Sequence, residues 1–343
     1  MKKIFIFGIV LRLIILFLFK NISNYDLQSY LKVGELTIKG INIYPNIANL
    51  HHPYFPAFLY LESCQSIIFL KSLNLIFDLG ILYLVYLLSK QSWKKTLLYA
   101  LNPITPMIFF LHGQFDAVPI FFLLLSIYLF QNKKPFLSLL SYSFSVMMKS
   151  WPVMFILAIY QRLKNKKLIF LSIFFPILSI VIYCLIFKTS PLNILQSLIY
   201  YQGVFGIWGV SKIFSLIHLR LRYQKLIIGL FLFIFFLYSS RIQEKDFIKK
   251  IYLLLLFFFS FSLTFSIQYL SWLIPFLCLT FPKYIYKLMF LITSYLLSFY
   301  SYWIFCSKCT TVSWHYYLPQ QLLGLILWLT LIKYWYNEKN KLI

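Results

Sequence analysis

Asp26 stands in the run Asn24-Tyr25-Asp26-Leu27, where a long apolar stretch gives way to a polar one. A carboxylate there could accept the proton of an attacking hydroxyl as a general base. On position alone a helix cap is the simpler reading. His112, Gln114 and Asp116 gather in His112-Gly113-Gln114-Phe115-Asp116, where another apolar run ends. Ionisable groups at such ends are candidate functional groups, although Asp116, three residues before Pro119, is also placed to cap the next helix. Lys149 falls near the middle of the apolar stretch 136–160. A lysine at the centre of one membrane span costs about 2.5–3.5 kcal/mol. Two short helices meeting near Ser150–Pro152 would avoid that cost and turn Lys149 toward a polar cavity, where its natural partner is an anion such as a phosphate. Gln268, Tyr269 and Trp272 interrupt apolar sequence, with Tyr269 and Trp272 on one helix face. Lys212, Arg220 and Arg222 make the stretch 188–224 basic, which suits anionic lipid as well as a substrate phosphate. Tyr44, Tyr54 and Phe55 are interleaved with prolines between Gly40 and Pro56, a pattern that fits a sugar or headgroup surface and equally an interfacial aromatic belt. His51 and His52 are adjacent and would diverge on a helix, so they are poorly spaced as metal ligands.

The elements that must position these residues are apolar helices. Of 343 residues, 61% are hydrophobic and 12% charged, and the mean hydropathy is +0.81. A soluble domain carries roughly 25% charged residues, so neither a soluble fold nor disorder fits. The apolar runs do not alternate, which argues against an outer-membrane barrel. The expected fold is all-α, a polytopic transmembrane helical bundle of about 10–13 membrane segments with a structured first outer loop at 20–62. The whole chain, 1–343, reads as a single integral membrane domain without internal repeats. The net charge of +24 suggests cationic inner loops rather than nucleic acid, with the run Arg162–Lys167 as the strongest inner anchor. Both termini then lie on the cytoplasmic side. The loop 20–62, the turn 112–116 and the stretch 188–224 share the outer face. Met1–Lys20 reads as an uncleaved first span. Five cysteines, with one isolated Cys306-x-x-Cys309 pair, form neither a disulfide framework nor a zinc site.

Taken in order along the chain, these motifs resemble the GT-C superfamily of polytopic glycosyltransferases. The likeness is to the polyprenol-phosphate-mannose-type mannosyltransferases of bacteria and archaea related to those of GPI-anchor synthesis. Four stretches carry it over about residues 1–280. They are Asp26 with Tyr30, Gly40, Tyr44 and Pro53–Pro56; Leu101-Asn102-Pro103 leading to Gly113–Asp116; Lys149 with Pro152; and Gln268-Tyr269 with Trp272 and Pro275. The family's Tyr-Pro-Pro landmark is Tyr-Phe-Pro here, and the family's frequent second acidic residue is missing beside Asp26.

The resemblance implies inverting transfer of a hexose, mannose in the nearest relatives, from a polyprenyl-phosphate donor to a glycan, lipid or protein acceptor on the outer face of the cell membrane. Asp26 would act as the base. Lys149, Arg220, Arg222 and His112 would hold the donor phosphate. Gln114, Asp116, Tyr54, Gln268, Tyr269 and Trp272 would bind sugar or acceptor. No metal and no cofactor beyond the lipid-linked donor is expected, and no nucleic-acid partner. A lipid-linked sugar flippase and a non-catalytic subunit of a glycan-assembly complex remain as alternatives.

Overall fold

A computed structural model describes residues 2–201, 208–216, 224–306 and 314–341. Every regular element among them is a helix, as expected for long apolar runs whose backbone groups must be satisfied within each segment. The chain packs as two compact units, one of residues 1–101 with 105–201 and the other of residues 102–104 with 202–343.

The first unit opens with α1 (Lys2–Phe19), which presents a broad apolar surface: Phe7, Val10, Ile14, Phe17 and Leu18 are exposed, while Gly8 and Arg12 face inward. The stretch 20–62 folds into α2 (Tyr25–Ile38), α3 (Ala48–His51) and α4 (Ala57–Glu62). Asn24 caps α2 through Oδ1, which accepts the Leu27 amide at 3.0 Å. Gly34 lets α2 and α4 approach closely, because a Cβ there would collide with the Glu62 carbonyl. Beyond lie α5 (Ile67–Leu88), α6 (Trp93–Leu101) and α7 (Ile104–Pro106). One π-helical turn, Met107–His112, then stops at Gly113 in the left-handed region, φ +80°. Next are α8 (Ala117–Gln131), α9 (Pro135–Met148), a 3₁₀ turn (Trp151–Phe155), α10 (Ile156–Arg162), a 3₁₀ segment (Lys166–Ile173), α11 (Phe174–Phe187) and α12 (Pro191–Tyr200).

Buried polar groups lock this unit. Arg12 Nε meets Asp78 Oδ2 at 2.6 Å with neither side chain exposed, and its terminal nitrogens donate to the Tyr99 and Ala100 carbonyls at 3.2 and 2.9 Å. The Tyr99 hydroxyl donates to the other Asp78 oxygen at 2.6 Å. This fully paired cluster ties α1, α5 and α6 together. Helices α8 and α9 are joined by serine hydroxyls: Ser138, Ser141 and Ser145 donate to the carbonyls of Ser126, Phe122 and Pro119 at 2.8, 2.7 and 2.6 Å. Lys71 on α5 secures the end of α1 by donating to the Phe19 and Ile22 carbonyls at 2.6 and 2.7 Å.

The second unit holds α13 (Gly209–Leu216), α14 (Gln224–Arg241), α15 (Phe247–Phe261), a 3₁₀ turn (Ile267–Tyr269), α16 (Leu270–Thr280), α17 (Ile285–Cys306) and α18 (Trp314–Asn340). Helix α15 is its core, and tryptophan indoles bind its open carbonyls: Trp208 Nε1 donates to Phe259 at 3.0 Å and Trp328 Nε1 to Ser260 at 2.8 Å.

Two helical stretches among the described residues are long and apolar enough to cross a bilayer, Ile67–Leu88 and Lys166–Phe187. Ala117–Gln131, Pro135–Met148 and Ile267–Thr280 are shorter apolar helices. The all-α bundle is thus present, with Ile67–Leu88 and Lys166–Phe187 meeting the length and hydropathy of a membrane span among the described residues. Helix α9, with 14 residues, rises only about 21 Å against a hydrocarbon core of about 30 Å.

Candidate functional site

The site is assembled in the first unit from α2, the π-helical turn, the Gly113–Asp116 segment and the end of α9. Asp26 lies in the first turn of α2. It is not the cap, since Asn24 holds that position, which removes the capping explanation for Asp26. Its side chain is 38% exposed. His112 Nε2 donates to Asp26 Oδ2 at 3.0 Å, and the Gln114 amide nitrogen donates to the same oxygen. Oδ1 therefore has no hydrogen-bond partner among the described residues and is the oxygen left for an incoming hydroxyl. Burial alone would raise the Asp26 pKa. The hydrogen bond and charge of His112, the charge of Lys149 and the Gln114 amide outweigh burial and hold the carboxyl below its usual range.

Gln114 links this carboxylate to the next pair. Its Oε1 accepts the Tyr30 hydroxyl at 3.1 Å and Lys149 Nζ at 3.3 Å, which fixes the amide's orientation. Lys149 ends α9 in extended conformation and is buried, at 4% exposure. The helix pair expected around Ser150–Pro152 is present as α9 and α10, with a 3₁₀ turn between them. Lys149 does face polar groups, and its anionic partner within the fold is Asp116, 2.7 Å away and fully buried. Asp116 makes no side-chain cap to α8, so its position before Pro119 serves this ion pair instead. The Lys149 ammonium also lies 4.4 Å from the Phe115 ring centre and 5.3 Å from that of Tyr54, where the ring faces favour a cation. The Tyr30 and Tyr54 phenols are pushed well up, first by burial and then by neighbouring charged and phenolic groups, Asp26 and Asp116 among them, so they remain hydrogen-bond donors.

Local backbone chemistry makes this geometry possible. At Gly113 a Cβ would sit 2.7 Å from Leu27 Cδ1, so only glycine lets the turn reach α2. Asn24 both caps α2 and donates to the His112 carbonyl at 2.5 Å, which holds Asp26 and His112 in register. Asn74 on α5 donates to the carbonyls of Phe109 and Gln114 at 3.2 and 2.9 Å, tying the π-helical turn and the segment after it to α5. Asn74 was not singled out from the sequence; its only signal there is an amide side chain inside an apolar helix.

An apolar groove of about 520 Å³ runs beside this cluster. Val118, Met147 and Met148, which line it, follow Asp116 or precede Lys149 in the chain, and Phe77, Phe122 and Phe144 continue its wall.

The remaining sequence candidates are placed differently. Gln268, Tyr269 and Trp272 belong to the second unit. Gln268 Oε1 accepts the Ser266 hydroxyl. Trp272 is 2% exposed, with its ring stacked on Tyr269 at 4.2 Å and packed near Phe258 at 5.8 Å. Trp272 is thus a buried ring packed under Tyr269. Lys212 is bound to Gln321 within the same unit. Arg220 and Arg222 lie outside the described residues. His51 and His52 diverge as expected: His51 Nδ1 meets Ser29 Oγ at 2.8 Å, while His52 Nδ1 meets the buried Glu62 carboxylate at 2.9 Å. Among the described residues no group of three or more His, Cys, Asp or Glu is arranged to hold a metal ion. In comparison with known proteins, no family model matches the chain and no curated protein sequence is significantly similar to it.

Proposed function

We propose that the chain is a multi-pass membrane glycosyltransferase of GT-C type. It would transfer a hexose, mannose by the resemblance, from a polyprenyl-phosphate donor to an acceptor hydroxyl on the outer face of the cell membrane. One observation carries the reading. A partly exposed carboxylate, Asp26, has one oxygen tied by two donors and the other open, and a buried lysine, Lys149, bonds the same Gln114 that holds it. A base, a cation and a slot for an apolar chain are what a lipid-phosphate donor and a hydroxyl acceptor require. The apolar surface of α1 and the exposed leucines and isoleucines of α11 support placement in a bilayer.

In the reaction, the acceptor hydroxyl attacks the anomeric carbon and its proton passes to Asp26 Oδ1. The bond between that carbon and the phosphate oxygen breaks through an oxocarbenium-like state, and the lipid phosphate leaves with the electron pair. Single displacement inverts the anomeric centre. Because the Asp26 carboxyl is held below its usual range, it is ionised at neutral pH and takes the proton late, as the hydroxyl becomes acidic in the transition state. Lys149 supplies positive charge to the leaving phosphate and is kept in place by Asp116 until the donor arrives. The groove receives the prenyl chain.

The test is transfer from radiolabelled polyprenyl-phosphate mannose by the purified full chain. Asp26→Asn, which keeps the side chain's size and removes the base, is expected to lower kcat by about 10²–10⁴-fold. Transfer at the wild-type rate by Asp26→Asn would reject the assignment.

A further inference from the structure

The proposed chemistry leaves one surface unassigned, that on which the acceptor would rest. Tyr25 adjoins Asp26 in the first turn of α2 and is 63% exposed. Its ring leans on that of His51 from α3, with centres 5.9 Å apart and planes 32° from parallel. His51 is in turn held by Ser29, one helical turn beyond Tyr25, with Nδ1 2.8 Å from Oγ. Leu50 extends the exposed apolar surface beside His51. The result is an exposed, partly apolar pair of rings with a fixed polar contact at its edge, in the same helical turn as Asp26.

We infer that Tyr25 and His51 form a platform for the face of a pyranose ring, so that the acceptor is itself a carbohydrate. This inference rests on the transferase reading of Asp26. Three observations favour a sugar over other occupants. First, a pyranose has an apolar C–H face and a rim of hydroxyls, which matches an open ring bordered by hydrogen-bonding groups. Second, partial burial and the charge of Lys32 depress the His51 pKa, and with Nδ1 held by Ser29 the neutral ring keeps Nε2 for a single hydrogen bond to a hydroxyl. An anionic headgroup would be better served by a cation there. Third, the Tyr25 ring is braced from α3 through a polar contact to α2, whereas a tyrosine serving only as an interfacial anchor needs no such bracing.

The probe is methyl α-D-mannopyranoside, and the measurement is saturation-transfer NMR on the purified full chain in detergent. Wild type and Tyr25→Phe are expected to transfer saturation to the probe's ring C–H protons. Tyr25→Leu keeps apolar bulk but loses the aromatic face, and should cut the signal about fivefold at unchanged Tm. His51→Ala, which removes the brace, should lower the signal as well. An undiminished signal with Tyr25→Leu, or none with wild type, overturns the platform. The transfer assay separates this outcome from the parent reading. Saturation transfer without glycosyl transfer leaves the sugar site standing and rejects the enzyme. Glycosyl transfer with unchanged acceptor KM in Tyr25→Leu leaves the enzyme standing and rejects the site. If both readings hold, Tyr25→Leu raises the acceptor KM about fivefold and leaves the donor KM unaltered.

Discussion

At the scale of single residues, the Asp26 carboxylate is governed by the groups that share its Oδ2. His112 and Gln114 oppose the effect of burial, and the net result is a carboxyl held below its ordinary pKa. The sign of the pH effect follows. The base form is present above the usual carboxylate range, and activity falls only as pH drops through the depressed value. Replacing Gln114 with alanine removes one of the lowering donors, so the acid limb of kcat/KM should move to higher pH; an unmoved limb would show that the amide does not act on Asp26. The Lys149–Asp116 pair is a different case, because both members are buried. Asp116→Asn strands the ammonium without its counter-charge. It is expected to lower stability by about 3–5 kcal/mol, read as a drop in Tm in detergent. Much of this was legible in advance: His112, Gln114, Asp116 and Lys149 stood out as polar groups in or at the end of apolar runs, and Asp26 as a carboxylate just past one. Their partners were not. Nothing in the spacing of Lys149 says that its ammonium bonds Asp116, 33 positions away, because that distance is closed only by the α8–α9 hairpin.

At the scale of elements, the decisive features are where helices stop. The π-helical turn ends at Gly113 with φ +80°, against the Leu27 side chain. Gly113→Ala therefore meets both an unfavourable backbone conformation and a collision with α2. A loss of roughly 2 kcal/mol or more is expected, together with reduced transfer as Asp26 is pushed from Gln114. Asn24→Ala removes the α2 cap and should cost about 1 kcal/mol; Asn24→Ser, which keeps an N-cap oxygen, should recover part of that cost in thermal unfolding. The break after Met148 could be foreseen, because an unbroken span would bury Lys149 at its centre. The π-helical turn could not, because the side chain that bonds its Phe109 carbonyl, Asn74, comes from another helix.

For the whole molecule, the proposal of a bilayer with the site outside is open to a direct check. Cys64 is exposed beside α4. In intact cells, a Cys306→Ser/Cys309→Ser variant should be labelled at Cys64 by a membrane-impermeant maleimide. Labelling only after lysis would invert the orientation. The Arg12–Asp78–Tyr99 cluster makes a second whole-molecule prediction, since it joins three helices without exposed charge. Asp78→Leu should reduce stability by about 3–5 kcal/mol, and Arg12→Met with Asp78→Leu should restore most of it, because replacing both partners leaves no buried ion unpaired.

Composition and pattern by themselves determined an all-helical chain. Residues 61% hydrophobic in long non-alternating runs favour segments that satisfy their backbone hydrogen bonds within themselves. They also marked nearly every polar group of the site, since a charge or amide in apolar sequence is conspicuous. Only the tertiary structure decided which of these groups meet. Asp26, His112, Gln114, Asp116 and Lys149 converge because Gly113 permits a turn against α2 and serine hydroxyls hold α9 to α8. Trp272 is packed against Tyr269 in the second unit. The physical reason is one of range: helical periodicity acts over a few residues, whereas a buried ion or amide takes whichever partner the packing of distant helices brings within about 3 Å.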